Sequence, residues 1–176
     1  MTRSLAGTHV DPRFILANGQ HAPGVKSRRA GEENVEIVRL AHEALNGGDL
    51  DALIALCDAK FRLDMSDRVF NPAVYEGYDG IRIFYSEVCD VWASYVWEPE
   101  ALMEASDSVV ALLRSRGRGR GSGVEVERHT AMVWTVRAGR ATAVCFFRDR
   151  DRALEAVGRI QTLASEAPSS RARDAD

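Results

Sequence analysis

Apolar residues recur at helical spacing through Val35, Val38, Ala41 and Leu45, and Ile37, Leu40 and Ala44 widen the stripe. Steps of three and four place these side chains on one face, which predicts a first amphipathic helix. Asn46-Gly47-Gly48-Asp49 stops it, because glycine takes the left-handed C-terminal conformation cheaply and Asp49 offers an acceptor to the free N–H groups of the next helix. That helix is short, Leu50 to Cys57. The period then falls to two. Lys60 to Met65 alternates, with Phe61, Leu63 and Met65 on one face and Arg62 and Asp64 on the other, the pattern of a half-buried strand. Ser66 to Tyr78 holds Asn71-Pro72 and reads as a loop. Gly77-Tyr78-Asp79-Gly80 then caps a third helix, Ile81 to Ala93, that buries Ile81, Phe84, Val88, Val91 and Trp92.

Strand signals fill most of the rest. Trp97 to Ala105 is a strand that Pro99 confines to an edge or bulge. Ser108 to Arg116, Val124 to Val136 and Ala141 to Arg148 follow, the last two joined by the glycine-bearing turn Arg137-Ala138-Gly139-Arg140. Asp151 to Gly158 closes as a short helix. Helices gathered ahead of a mainly antiparallel sheet describe an α+β domain over residues 32–160. Residues 1–31 mix Gly, Pro, His and Arg around one apolar cluster, Phe14-Ile15-Leu16. They read as a disordered extension, or alternatively as an arm that docks on a partner subunit through Phe14 and Leu16. Residues 161–176 are polar and small and read as a flexible tail.

Composition narrows the partners. The 176 residues carry 23 basic and 26 acidic side chains, a net charge of -3, so no strong field selects nucleic acid or an anionic membrane. Cys57, Cys89 and Cys145 are odd in number and widely spaced, with neither zinc spacing nor a disulfide framework, which fits a reducing cytoplasm. No apolar run approaches the ~18 residues of a membrane-spanning helix, and the first 26 residues lack the compact apolar stretch of a secretory signal. The expectation is a cytoplasmic protein with no membrane contact, no nucleic-acid partner, no metal and no cofactor.

Four segments carry a family resemblance: ENVEIVRLAHEALNGGDLDALIALC (Glu33 to Cys57), VYEGYDGIRIFY (Val74 to Tyr85), RGRGRGSGVEVE (Arg116 to Glu127) and VWTVRAGRATAVCFFRDRDRALEAVG (Val133 to Gly158). Together they resemble the SnoaL-like branch of the nuclear transport factor 2-like superfamily. The resemblance implies a cone-shaped, cystatin-like roll in which a curved mixed or antiparallel sheet and three N-terminal-side helices enclose a pocket. It also implies a hydrophobic small-molecule ligand and a homodimer formed through the convex face of the sheet, where the parity used below places Trp97 and Trp134.

In the ketosteroid isomerase branch of this superfamily, a Tyr on the first helix and a neutral Asp on a late strand stabilise an enolate while a second Asp moves the proton. Counting from the shared Gly-Asp turn puts the Tyr position on Ala41, and counting back from Gly139 puts the late Asp on Ala131. The remaining acid position falls on Met65, one residue from Asp64. Alternation turns Asp64 outward, whereas a bulge or a one-residue gap after Cys57 would turn it inward. With both donors replaced by alanine, isomerisation by that route is disfavoured.

Strand parity supplies other candidates. If Ala131 faces the pocket, so do Glu127, His129 and Val133, and the matching set on the last strand is Val144, Phe146 and Arg148. His129, whose ordinary pKa lies nearest neutrality, is the candidate base, with Asp64 assisting if it faces in. Arg148 is a candidate anchor for an anionic or carbonyl-bearing ligand, or else a rim ion-pair residue. The expected apolar lining is Phe61, Leu63, Met65, Phe84, Ala131, Val133, Val144 and Phe146, with Tyr75, Tyr78 and Phe70 as a lid or a loop staple. Arg116-Gly-Arg-Gly-Arg-Gly121 lies between alternating strands without interleaved aromatic residues and reads as a hairpin end rather than an RNA-binding tract or a dinucleotide fingerprint. Two functions stand side by side. One is a cofactor-independent cyclase, isomerase or hydrolase acting on a hydrophobic carbonyl compound; the other is a non-catalytic ligand-binding or dimeric module.

Overall fold

The stripe that begins at Val35 lies on helix α1 (Arg28–Gly47), which buries Val38, Ala41 and Leu45. The computed structural model describes residues 28–69 and 71–166, so Phe14, Leu16 and Phe70 lie outside the described residues. Helix α1 starts four residues inside the segment expected to be unstructured. Gly48 turns the chain with φ +71°, and a Cβ there would sit 2.7 Å from the Tyr85 hydroxyl oxygen, so both backbone and space require glycine. Asp49 caps α2 (Leu50–Leu56), its Oδ1 accepting the Ala52 N–H at 2.9 Å.

Next come β1 (Cys57–Asp64), β2 (Val74–Glu76), α3 (Gly77–Val91), β3 (Trp92–Ala105), β4 (Ser108–Gly119), β5 (Glu125–Arg137), β6 (Arg140–Phe147) and α4 (Arg150–Glu166). Strand β2 forms inside the expected loop, pairing Tyr75 with Leu63. Strand β3 begins at Trp92, a residue expected on the third helix. The sheet order is β2-β1-β6-β5-β4-β3, antiparallel throughout except for the parallel β1–β6 pair. This is the mixed α+β architecture read from the sequence, with the sheet curled open. Register shifts at Cys57/Arg62, Trp92/Ser94, Pro99/Ala101 and Thr135/Val136 sit where strands must bend. Pro99 stands beside one of them on the outermost strand. The edge of β3 is pinned by Asn46, whose side-chain amide donates to the Trp97 carbonyl and accepts the Trp97 N–H, each at 2.9 Å.

Helices pack on both faces of the sheet. Helices α1 to α3 fill the concave side, meeting Phe61, Leu63, Met132, Trp134 and Phe146. On the convex side α4 sets Ala153, Ala156 and Val157 against Val110, Ala131, Val133, Cys145 and Phe147.

This arrangement corrects the parity of β5. Ala131 and Val133 belong to the convex cluster, while Met132 and Trp134 point into the concave one. The expectation that Ala131 and Phe146 share a face fails on register, because Phe146 pairs with Met132 and Ala131 pairs with Phe147. Directly paired residues project to the same side of a sheet. The same slip displaces the two tryptophans. Trp97 and Trp134 are each 3% exposed within the concave core, so neither offers the convex surface on which pairing was expected.

Candidate functional site

Between the sheet and α3 lies a cavity of about 490 Å³. Its wall is a run of edge-packed aromatic rings. Tyr75 meets Phe84 at 5.6 Å between centroids, Phe84 meets Trp97 at 6.1 Å, Trp97 meets Tyr95 at 4.5 Å, and Tyr95 meets Trp92 at 5.1 Å. Alternation along β3 puts Tyr95 and Trp97 on the concave side, and the α3 period adds Phe84, Val88 and Val91. Glycine makes room for this wall: a Cβ on Gly117 would lie 2.6 Å from Tyr95 and 2.9 Å from Trp92. The arginine-glycine run therefore alternates arginines outward with a glycine that lets rings cover the sheet.

Polar groups enter the cavity from three places. Strand β5 contributes Arg128 and Thr130, and the Thr130 hydroxyl shares a buried 2.9 Å hydrogen bond with Ser115. Burial raises the pKa of Tyr95, opposed by its hydrogen bond with Ser115. The loop after β1 contributes Arg68, whose N–H is held to the Met65 carbonyl at 3.0 Å and whose guanidinium lies 5.7 Å over the Phe84 ring. The β6–α4 junction contributes Arg148. Exposed Val69, Val91, Arg128 and Arg148 mark the mouth.

Asp67 ties these pieces together. Its side chain is 1% exposed; it accepts the Arg148 N–H at 2.8 Å and lies 3.1 Å from Arg152 Nη1 and 3.7 Å from Arg148 Nη2. The loop carrying Arg68 is thereby fastened to the end of β6.

Behind the ring wall, Tyr75 is buried. Its hydroxyl donates to Glu87 Oε2 at 2.5 Å, and burial, reinforced by this bond, pushes the phenol up to about 12 while neighbouring Arg68 opposes the shift. A second buried polar group, His42, accepts the Trp134 indole N–H at Nε2 across 3.2 Å, and burial alone pushes its pKa down to about 4. Burial also raises the Cys57 and Cys145 thiols to about 12, which leaves them protonated and unreactive at neutral pH.

Of the residues expected at the site, Met65, Phe84, Phe146 and Arg148 line the cavity together. Phe61, Leu63 and Val144 lie deeper in the same concave core, and Tyr75 stands behind Phe84. The others face elsewhere. His129 and Glu127 occupy the convex side, with side chains 57% and 45% exposed, His129 lying 3.6 Å from Glu100 and Glu127 accepting from Arg114 at 3.0 Å. Ala131 and Val133 lie under α4.

Asp64 also faces away from the cavity. It pairs in register with Cys145 while Leu63 pairs with Val144, and its Oδ1 accepts from the Ser66 N–H at 3.0 Å and from the Ser66 hydroxyl. The bulge after Cys57 is present, yet Leu63 and Met65 keep the inward positions.

Arg68, Arg128, Thr130 and Tyr95 escaped the sequence reading. For Arg128 and Thr130 the usable signal was Trp134, whose even parity fixes theirs if the largest side chain is placed inside. Arg68 lies in a loop without period.

Residues 38–144 match the family model described as the SnoaL-like domain, and the chain belongs to that family. Among solved structures, one assigned as a SnoaL-like polyketide cyclase from Jannaschia sp. CCS1 is 19% identical with a TM-score of 0.61, the match covering 76% of this chain and 97% of that one. A nuclear transport factor 2-like protein from Burkholderia thailandensis E264 is 25% identical with a TM-score of 0.59, over 70% and 95% of the two chains. TerC, co-crystallised with polyporic acid, is 18% identical with a TM-score of 0.59, over 72% and 98%. No curated protein matches the sequence. These likenesses show the nuclear transport factor 2-like cone fold, and among the described residues no helix is long and apolar enough to cross a membrane.

Proposed function

We propose that this protein binds a small, largely apolar molecule in the cavity and serves as a ligand-binding module rather than as a proton-transfer enzyme. The observation that carries the reading is the lining itself. Trp92, Tyr95, Trp97, Phe84 and Phe146 supply flat apolar surface, and the ionisable groups among the lining residues are three arginines and one tyrosine. Among the described residues neither a carboxylate nor an imidazole lines the cavity. A cofactor-free cyclase or isomerase needs a group that accepts a proton near neutral pH within hydrogen-bond reach of its substrate. The base expected for that role, His129, lies on the other face of the sheet. The reading agrees with the co-crystallisation of TerC, a neighbour of similar fold, with polyporic acid.

The test is titration with neutral phenylnaphthylamine, which fluoresces on leaving water. Saturable enhancement at one site per chain is expected, with loss of binding when Val126, a β5 residue that lines the cavity two positions before Arg128, is enlarged by Val126→Trp in a variant whose circular dichroism is unchanged. Absence of saturable binding, or binding indifferent to Val126→Trp, refutes the reading.

A further inference from the structure

We infer that the cavity selects molecules bearing an ionised acidic group, a carboxylate, sulfonate or acidic enol, on a flat apolar body, with Arg68 as the principal anion-binding residue. The inference deepens the ligand-binding reading and rests on it. Every charged residue among the described lining residues is cationic: Arg68, Arg128 and Arg148. Among the described residues, the buried carboxylate that pairs with one of them is Asp67. Asp67 stands between Arg148 and Arg152, so its single negative charge is shared by two guanidinium groups. Among the described residues no carboxylate pairs with Arg68 or with Arg128.

Arg68 carries the more specific signal. Its Nη1 is buried and lacks a hydrogen-bond partner among the described residues, although the guanidinium is held over Phe84 beside Tyr75. A shielded guanidinium donor without an acceptor is unfavourable by itself, and a ligand oxygen placed against it removes that penalty. Glu87 on α3 is already occupied by the Tyr75 hydroxyl. The position also suits a ligand that is apolar elsewhere. Phe84 fixes the guanidinium plane from one side and is itself part of the aromatic wall, so an anion at Arg68 leaves the rest of the molecule against Tyr95 and Trp97. Arg128 and Arg148 at the mouth add a positive field along the way in, steering anions from solvent.

Two fluorogenic probes that differ in one sulfonate separate this inference from the reading beneath it. Anilinonaphthalene sulfonate and neutral phenylnaphthylamine are titrated against the full chain at low salt. The sulfonate is expected to bind at least roughly tenfold more tightly, the scale of one charge-assisted hydrogen bond in a shielded site. Arg68→Gln is expected to remove most of that gap, read as the ratio of the two probe affinities within the same variant. Arg128→Gln, at an exposed strand position that does not endanger folding, is expected to narrow it by a smaller factor and to weaken its salt dependence. Equal affinities for the two probes, or a gap that survives both substitutions, overturn the inference while the ligand-binding reading stands. Failure of both probes to bind removes both.

Discussion

Asp67→Asn preserves shape and removes one charge, which makes it a stringent test of how the pocket is held. The carboxylate accepts the Arg148 N–H and faces the guanidinium groups of Arg148 and Arg152 at 3.7 and 3.1 Å. An amide oxygen still serves the backbone N–H, but its NH2 group then faces a guanidinium donor. Both arginine side chains are about half exposed, 49% and 41%, so solvent screens the pairs and the full low-dielectric attraction does not apply. Charge-assisted bonds of this kind are worth about 1.5–3 kcal/mol, so about 2–3 kcal/mol of destabilisation is expected at pH 7. The assay is urea unfolding of wild type, Asp67→Asn, Arg152→Met and the double variant, with unchanged m values confirming a common transition. The cycle should yield a coupling of about 1–2 kcal/mol between Asp67 and Arg152. Because the same carboxylate fastens the Arg68 loop, Asp67→Asn should also weaken probe binding at urea concentrations where the variant stays folded. Coupling below about 0.3 kcal/mol, with unaltered binding, would refute the anchoring argument.

Two further expectations are independent of that cycle. His42 is 1% exposed, and its pKa drops from 6.5 to about 4 through burial; the unfolded chain therefore binds a proton that the folded one refuses, and stability is lost as pH falls from 6.5 towards 4. This single group accounts for roughly 3 kcal/mol of that loss, and His42→Gln, which keeps an acceptor for Trp134, should flatten the profile measured by urea unfolding at several pH values. Gly117→Val places a branched side chain where Tyr95 and Trp92 now lie within 3 Å of a Cβ. Displaced rings should then fill the cavity and lower phenylnaphthylamine affinity by about tenfold or more, and unaltered binding would show that the rings are not the wall.

How far the sequence could be read differs from strand to strand. On β1 alternation is clean, and Phe61, Leu63 and Met65 were placed on the concave side from pattern alone. On β5 the run from Thr130 to Val136 is buried at every position, because α4 covers the face that would otherwise meet water. A strand covered on both sides loses the polar half of its alternation, so its sequence does not say which face is which. The misplacement of His129, Glu127, Ala131 and Val133 follows from the count back from Gly139, which crosses the register shift at Thr135/Val136, and the doubly covered run offers no polar alternation to correct it. Val144 and Phe146, expected as the set on β6 matching Ala131, face the concave side without it, and Arg148 just beyond β6 lines the cavity.

What the amino-acid order settled by itself was the succession of elements apart from β2, the Gly48-Asp49 stop, the α+β class and the family resemblance, all of which depend on neighbours within a few positions. The tertiary structure decided which side of β5 meets the cavity, that Gly117 yields space to two rings, and that Asp67 binds the end of β6. Those outcomes depend on the α4 packing and on contacts between residues some twenty to eighty positions apart, and no local period encodes either.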